Sequence, residues 1–195
     1  MWWKRDGGGE RGASLVEFAV IAPLLMVLVF GTVEMGLAFR DRLTVSSAVQ
    51  AAARIGSVLG TEDAADFATL QAVTAGLNGQ LDPSEIVEVY IYRSDESGTF
   101  SASNANLYVF DPSDPACPWT PCPNPDPAFF EGYGSPSNWA PPDRSSALPS
   151  PDILGVRVVF VHDWVTTIMP FMSTPAVWTD DARVRLEPDV FGTTP

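Results

Sequence analysis

The sequence predicts an α+β protein: a long N-terminal apolar helix that continues into a soluble domain with a second helix and a small antiparallel sheet of three to four strands. Three observations lead there. Residues 12–39, GASLVEFAVIAPLLMVLVFGTVEMGLAF, form one apolar run in which Glu17 and Glu34 are the only charges. Two stretches after it have apolar residues at helical spacing. Three later stretches are rich in β-branched residues and alternate with period two. Helices that precede a run of strands point to a helix packed on an antiparallel sheet.

Read as a helix, residues 13–39 span roughly 40 Å at about 1.5 Å per residue. A hydrocarbon core needs about 20 apolar residues, so the segment is long enough to cross a membrane. A secretory signal has a shorter apolar core followed by a small-x-small cleavage site; here the run continues through Thr32–Phe39, which favours retention as an anchor. Glu17 lies one turn inside the start. A carboxylate at membrane depth costs several kcal/mol unless it is paired or near the interface. Glu17 is therefore either a working group or a headgroup-level residue beside Arg11.

Residues 40–59 hold no Gly or Pro before Gly56, and Val45, Ala48, Val49, Ala52, Ile55 and Leu59 recur on one helical face. The membrane helix is expected to continue through them. Ala51, Ala52 and Ala53 would admit a close neighbour. Gly60 to Asp63 breaks the pattern, with Thr61 as N-cap of a second helix over residues 63–77. Asp82-Pro83 turns the chain into the first strand, residues 86–93, where Val87, Val89 and Ile91 share one face. Asp95 to Gly98 reads as a turn. Residues 107–110 form a weak strand. Residues 154–161 form the strongest, with Val156, Val158 and Phe160 on one side, and residues 182–187 alternate Ala182, Val184 and Leu186 against Arg183, Arg185 and Glu187.

Residues 111–151 differ in kind, with twelve of the eighteen prolines. Proline removes backbone donors, so this is a long loop. Trp119, Phe129, Phe130, Tyr133 and Trp139 are spread along it, and are expected to fold back over a sheet edge in preference to forming a contact surface. Cys117 and Cys122 are the chain's two cysteines. Zinc wants four ligands, and the one histidine, His162, is remote; a redox motif would have two intervening residues, not four. In an oxidising compartment the pair forms a disulfide.

Net charge is −13. Residues 40–195 hold twenty acids and eight basic residues, a poor composition for nucleic acid, which rewards clustered Lys and Arg. Lys4, Arg5 and Arg11 before the span favour a cytoplasmic N-terminus, although Arg40 and Arg42 beyond it weaken that vote. The expected arrangement is a leader (1–12), a transmembrane helix (13–39) and an extracytoplasmic domain (40–195). There is no phosphate-binding loop, dinucleotide fingerprint or nucleophile elbow. His162-Asp163 is not read as a catalytic pair, because neighbours in a strand face opposite ways. Asp111, Asp114 and Asp126 lack the spacing of a calcium loop. No enzyme activity, metal or cofactor is expected.

Gly12-Ala13-Ser14-Leu15-Val16-Glu17-Phe18, then Ala22-Pro23, Glu34-Met35-Gly36 and Ala52-Ala53-Arg54, resemble the TadE/TadG-like proteins of the tight-adherence (Flp-type) pilus, which are relatives of type IV pilins. The resemblance covers residues 12–59 well and the remainder only in general plan. It implies a pilin-like fold, and cleavage between Gly12 and Ala13 by an inner-membrane prepilin peptidase. It further implies that Glu17 and Phe18 take part in helix packing and register with other pilin-like subunits and the pilus assembly platform. The alternative function is a signal-anchored extracytoplasmic binding domain that uses the aromatic proline loop.

Overall fold

The computed structural model describes residues 8–77, 79–113, 115, 117–123, 138–166 and 174–188, with backbone alone for residues 8–11. The chain forms two compact units. One comprises residues 1–39 and 163–175, the other residues 40–162 and 176–195.

In the first unit the helical residues belong to α1 (Gly8–Leu59), whose latter part lies in the second unit. Pro23 is inside the helix without ending it. Thr32 Oγ1 donates to the Leu28 carbonyl 2.7 Å away, a local bond that hides a hydroxyl in an apolar stretch. The side chains of Leu15, Phe18, Val20, Leu24, Met26 and Val29 are exposed. Mean hydropathy reaches 2.4 in the most apolar stretch, none of which is buried, as a membrane anchor would require.

The second unit packs the remainder of α1 and the helix α2 (Ala65–Gly76) on a sheet. Among the described residues the sheet has five strands: β1 (Ile86–Ser94), β2 (Ala105–Phe110), β3 (Trp119–Thr120), β4 (Ile153–His162) and β5 (Ala176–Arg185). Their order is β3-β2-β1-β4-β5, with every pairing antiparallel. The α+β architecture with a transmembrane-like N-terminal helix is thus as expected, with one strand more than the three to four foreseen. The core joins Val45, Val49 and Ala52 of α1 and Leu70 and Val73 of α2 to Val89, Ile91, Val156, Val158 and Phe160 of the sheet. Burying each of the Val, Leu, Ile and Phe side chains among these contributes roughly 1.5–3 kcal/mol. The two helices meet closely where Gly76 faces Ala48: a Cβ on Gly76 would lie 2.6 Å from the Ala48 Cα and Cβ.

Four local expectations are corrected. Thr61 does not cap α2; the helix starts at Ala65 after turns that bond Glu62 N to Leu59 O and Ala65 N to Glu62 O, and no side chain caps it. Ile55 is exposed, while Ala53 and Gly56 turn inward. A Cβ on Gly56 would lie 2.7 Å from Thr69 Oγ1, so the missing side chain is what admits α2 there. Val87 is exposed and Ile86 buried, because a register shift between Ile86 and Glu88 turns the start of β1 over. β5 begins at Ala176, six positions before the stretch the alternation identifies.

Candidate functional site

Four groups of residues stand out along the chain. Gly12, Ala13, Glu17 and Phe18 are all exposed on α1, and Phe18 is 68% exposed. Among the described residues, nothing beyond the adjoining helix backbone lies within 4 Å of a Cβ built on Gly12. Ala13 and Glu17 are four apart on a helix and therefore share a face. The structure thus presents this sequence-predicted set together on open helix surface.

Glu34 was visible in the sequence as a charge within the apolar run, but its partners were not. It is 1% exposed. Its carboxylate accepts the backbone N–H of Val165 at 3.1 Å and that of Thr166. Both donors lie in the connection between β4 and β5. A pair of amides on one carboxylate is a charge-assisted arrangement, stronger than neutral bonds. Trp164 Nε1 donates to the Thr174 carbonyl at 3.0 Å, which ties the two ends of that connection together.

In the second unit, His162 closes β4 and is buried. Its Nδ1 lies 2.8 Å from Asp41 Oδ2 in α1, and its ring stacks on Trp178 of β5 with centroids 5.6 Å apart. Asp41 in turn accepts from the Arg40 guanidinium at 3.3 Å. The expectation of a structural strand-end histidine fits this geometry: His162 fastens the sheet to α1. Asp163 lies beyond the strand.

The most enclosed polar cluster centres on Asp66 in the first turn of α2. Its carboxylate accepts from Tyr108 Oη at 2.6 Å, Asn106 Nδ2 at 2.9 Å and Arg144 Nη2 at 2.5 Å. Arg144 also lies over the Trp139 ring at 4.5 Å and donates to the Gly60 carbonyl at 3.3 Å. Asn106 exchanges two bonds with the Trp139 backbone. Each member is at most 5% exposed. Both oxygens of the Asp66 carboxylate are satisfied, although Arg144 Nε and Trp139 Nε1 have no hydrogen-bond partner among the described residues; removing one partner of such a buried pair typically costs about 3–5 kcal/mol. Its chemistry is adhesive: it fastens the proline loop to α2 and β2. Sequence reasoning missed it, since Asp66 reads as a favourable acid near a helix N-terminus.

Cys117 and Cys122 are joined, with Cα atoms 5.9 Å apart, and bracket β3. Trp119 and Trp139 are both buried, so the loop aromatics that are described fold back, as expected. Phe129, Phe130, Tyr133, Asp114 and Asp126 lie outside the described residues. Asp111 is exposed, and the Ser113 backbone N–H, 3.0 Å away, holds its carboxyl below the usual range. Among the described residues no group of three His, Cys, Asp or Glu could hold a metal ion. A cleft of about 400 Å³ is lined by Arg93, Asp95, Asn104, Asp152 and Arg185, but Arg93 is already paired with Asp152 at 2.6 Å.

Two of these groups fall in α1, and α1 is where comparison with known proteins gives a result. Residues 12–54 match the family model described as TadE-like protein. No curated protein and no solved structure matches the chain. The matched segment holds the exposed Gly12–Phe18 set, the apolar stretch, Glu34 and the start of the core-forming half of α1. Over residues 12–54 the chain is thus similar to the TadE-like proteins.

Proposed function

We propose that the protein is a minor, pilin-like membrane-anchored subunit that serves the assembly of a tight-adherence (Flp-type) pilus, and that it acts by helix packing and not by catalysis. The observation that carries this reading is the TadE-like match at residues 12–54, laid on an apolar helix whose outer face is uncovered. The N-terminus is cytoplasmic and the sheet domain extracytoplasmic, in keeping with the Cys117–Cys122 disulfide. A prepilin peptidase of the inner membrane cuts after Gly12, and Ala13 becomes a free ammonium group.

The register of assembly follows from Glu17. In a bundle of such helices its carboxylate would be surrounded by apolar side chains, where a charge is tolerable only with a partner. The Ala13 ammonium is that partner, within one chain or between neighbours, and so fixes axial position. Glu17→Val makes the span more apolar and leaves insertion intact. It should reduce co-purification with pilin partners from crosslinked membranes several-fold. Wild-type recovery of partners by the variant would make Glu17 a headgroup-level bystander. The alternative, a binding domain working through the proline loop, draws little from Trp119 and Trp139, which are buried in the domain core.

A further inference from the structure

Glu34 occupies an unusual position. It lies five residues before Phe39, where the apolar run ends, so it stands about 7 Å inside that run at 1.5 Å per residue. A carboxylate at such depth is costly unless it is paired. Its partners are the backbone N–H groups of Val165 and Thr166. Backbone N–H groups are equally costly in an apolar medium when they lack acceptors. The two problems cancel, which places this part of the 163–175 connection at the level of the apolar helix.

The chemistry of the connection agrees. Strand connections exposed to water are dominated by Gly, Asn, Asp, Ser and Pro. Residues 164–173 read WVTTIMPFMS: no charge, and Trp, Val, Ile, Met, Phe and Met among ten positions. The run opens on Trp164, a residue type favoured at membrane interfaces, and Asp163 precedes it. Val165 is 74% exposed even though its own N–H is bound to a buried carboxylate. An apolar side chain pointing outward beside an apolar helix continues that helix's lipid-facing surface.

We propose that residues 163–166, where the chain leaves β4, form a second membrane-contacting segment, inserted in the lipid interface beside the apolar helix and fastened there by Glu34. The inference rests on the helix being a membrane anchor. The partner is lipid, not a second protein surface. Glu34 then has a role separate from Glu17: it holds Val165 and Thr166 at the membrane.

The test uses the full-length chain, with its disulfide intact, in phosphatidylcholine–phosphatidylglycerol vesicles. Single spin labels are placed at Val165, at Val29 within the apolar stretch and at Leu148 on the sheet domain. Collision with oxygen, which concentrates in lipid, is compared with collision with a water-soluble nickel chelate. Labels at Val29 and Val165 should both favour oxygen, with nickel collision several-fold lower than at Leu148. A Val165 label as open to nickel as Leu148, with Val29 still in lipid, overturns the proposal and spares the anchor. A Val165 label shielded from both reagents shows a protein contact and overturns it too. Nickel access at Val29 would remove the anchor itself, and the proposal with it. Glu34→Ala, which removes both acceptors, should raise nickel collision at Val165 several-fold; no change would overturn the role of Glu34 as fastener.

Discussion

Tyr92 shows how a single side chain can be both buried and polar on the face of the sheet opposite the helices. It stands across from Gly155 in the β1–β4 pairing, and a Cβ on Gly155 would clash with Tyr92 Cζ, so the glycine makes the space. Phe100 meets the ring edge-on at 5.0 Å, and the Tyr92 hydroxyl donates to Asp181 at 3.3 Å. Burial foremost, and the Asp181 charge next, push the Tyr92 pKa up to about 12. An unfolded tyrosine ionises near pH 10. Above that the unfolded chain loses a proton that the folded chain keeps, so stability is complete below about pH 10 and is lost as pH rises to about 12. That difference is worth at most about 2.7 kcal/mol, of which about 2 kcal/mol is lost by about pH 11.5. Urea unfolding of the detergent-solubilised protein at about pH 9 and about pH 11.5 should show a drop that is larger in wild type than in Tyr92→Phe by about 2 kcal/mol. Equal drops would mean that Tyr92 ionises freely in the folded protein.

Residue pattern was a good guide where one side of an element faces apolar groups and the other faces water. Val156, Val158 and Phe160 in β4, and Val45, Ala48 and Val49 in α1, are buried as their spacing says. It failed where polar residues turn inward. Asp66 and Thr69 belong to the buried face of α2 because Arg144, far along the chain, supplies the counter-charge; no local pattern announces that partner. Glu34 is the same case. Its charge was legible, but the amides that receive it come from a strand connection more than a hundred residues away.

At the scale of elements, the two edge strands account for most of what alternation missed. β5 carries Asp180 and Asp181 in its middle, which interrupts the apolar rhythm of Val177 and Trp178 with Ala182 and Val184. Charges suit an edge strand, where they oppose pairing with another chain, and Asp181 is held near Arg157 and Arg183. β3 has two residues and sits among prolines, so no periodicity exists to detect. It is held by other means. Trp119 packs edge-on to Phe110 with centroids 5.4 Å apart, Asp111 N donates to the Pro118 carbonyl at 3.1 Å, and the disulfide closes around the strand. Closing so short a loop stabilises by about 2 kcal/mol on the chain-entropy model. Replacing both cysteines by serine should therefore lower unfolding stability by about 2 kcal/mol, with the α1–α2–β1–β4 core retained. Circular dichroism and urea titration of the variant would check both parts. Loss of the fold would show that β3 is required by the core, not added to its edge.

On the scale of the whole molecule, the two units divide labour in a way consistent with an assembly subunit. One is an apolar helix with its face uncovered and its TadE-like residues in the open. The other has a core of its own, a fastened proline loop and a disulfide, and pairs Asp66 with Arg144 and Asp41 with His162 from within. The sequence reached the first unit more fully than the second, because a membrane solvent imposes a long uniform signal whereas a soluble core is written in distant pairs. The proposed assembly role is decided at the helix terminus. If the exposed Gly12 is a processing site, the chain recovered from its native membrane begins at Ala13. Intact mass and N-terminal sequencing of that protein are the most direct measurement. The prediction is a mature chain starting Ala13-Ser14-Leu15, with Gly12→Lys leaving the leader attached and weakening recovery of pilin partners. A native protein that keeps Met1 or its leader, and still assembles with those partners, would contradict the claim that the Ala13 ammonium and Glu17 set the register.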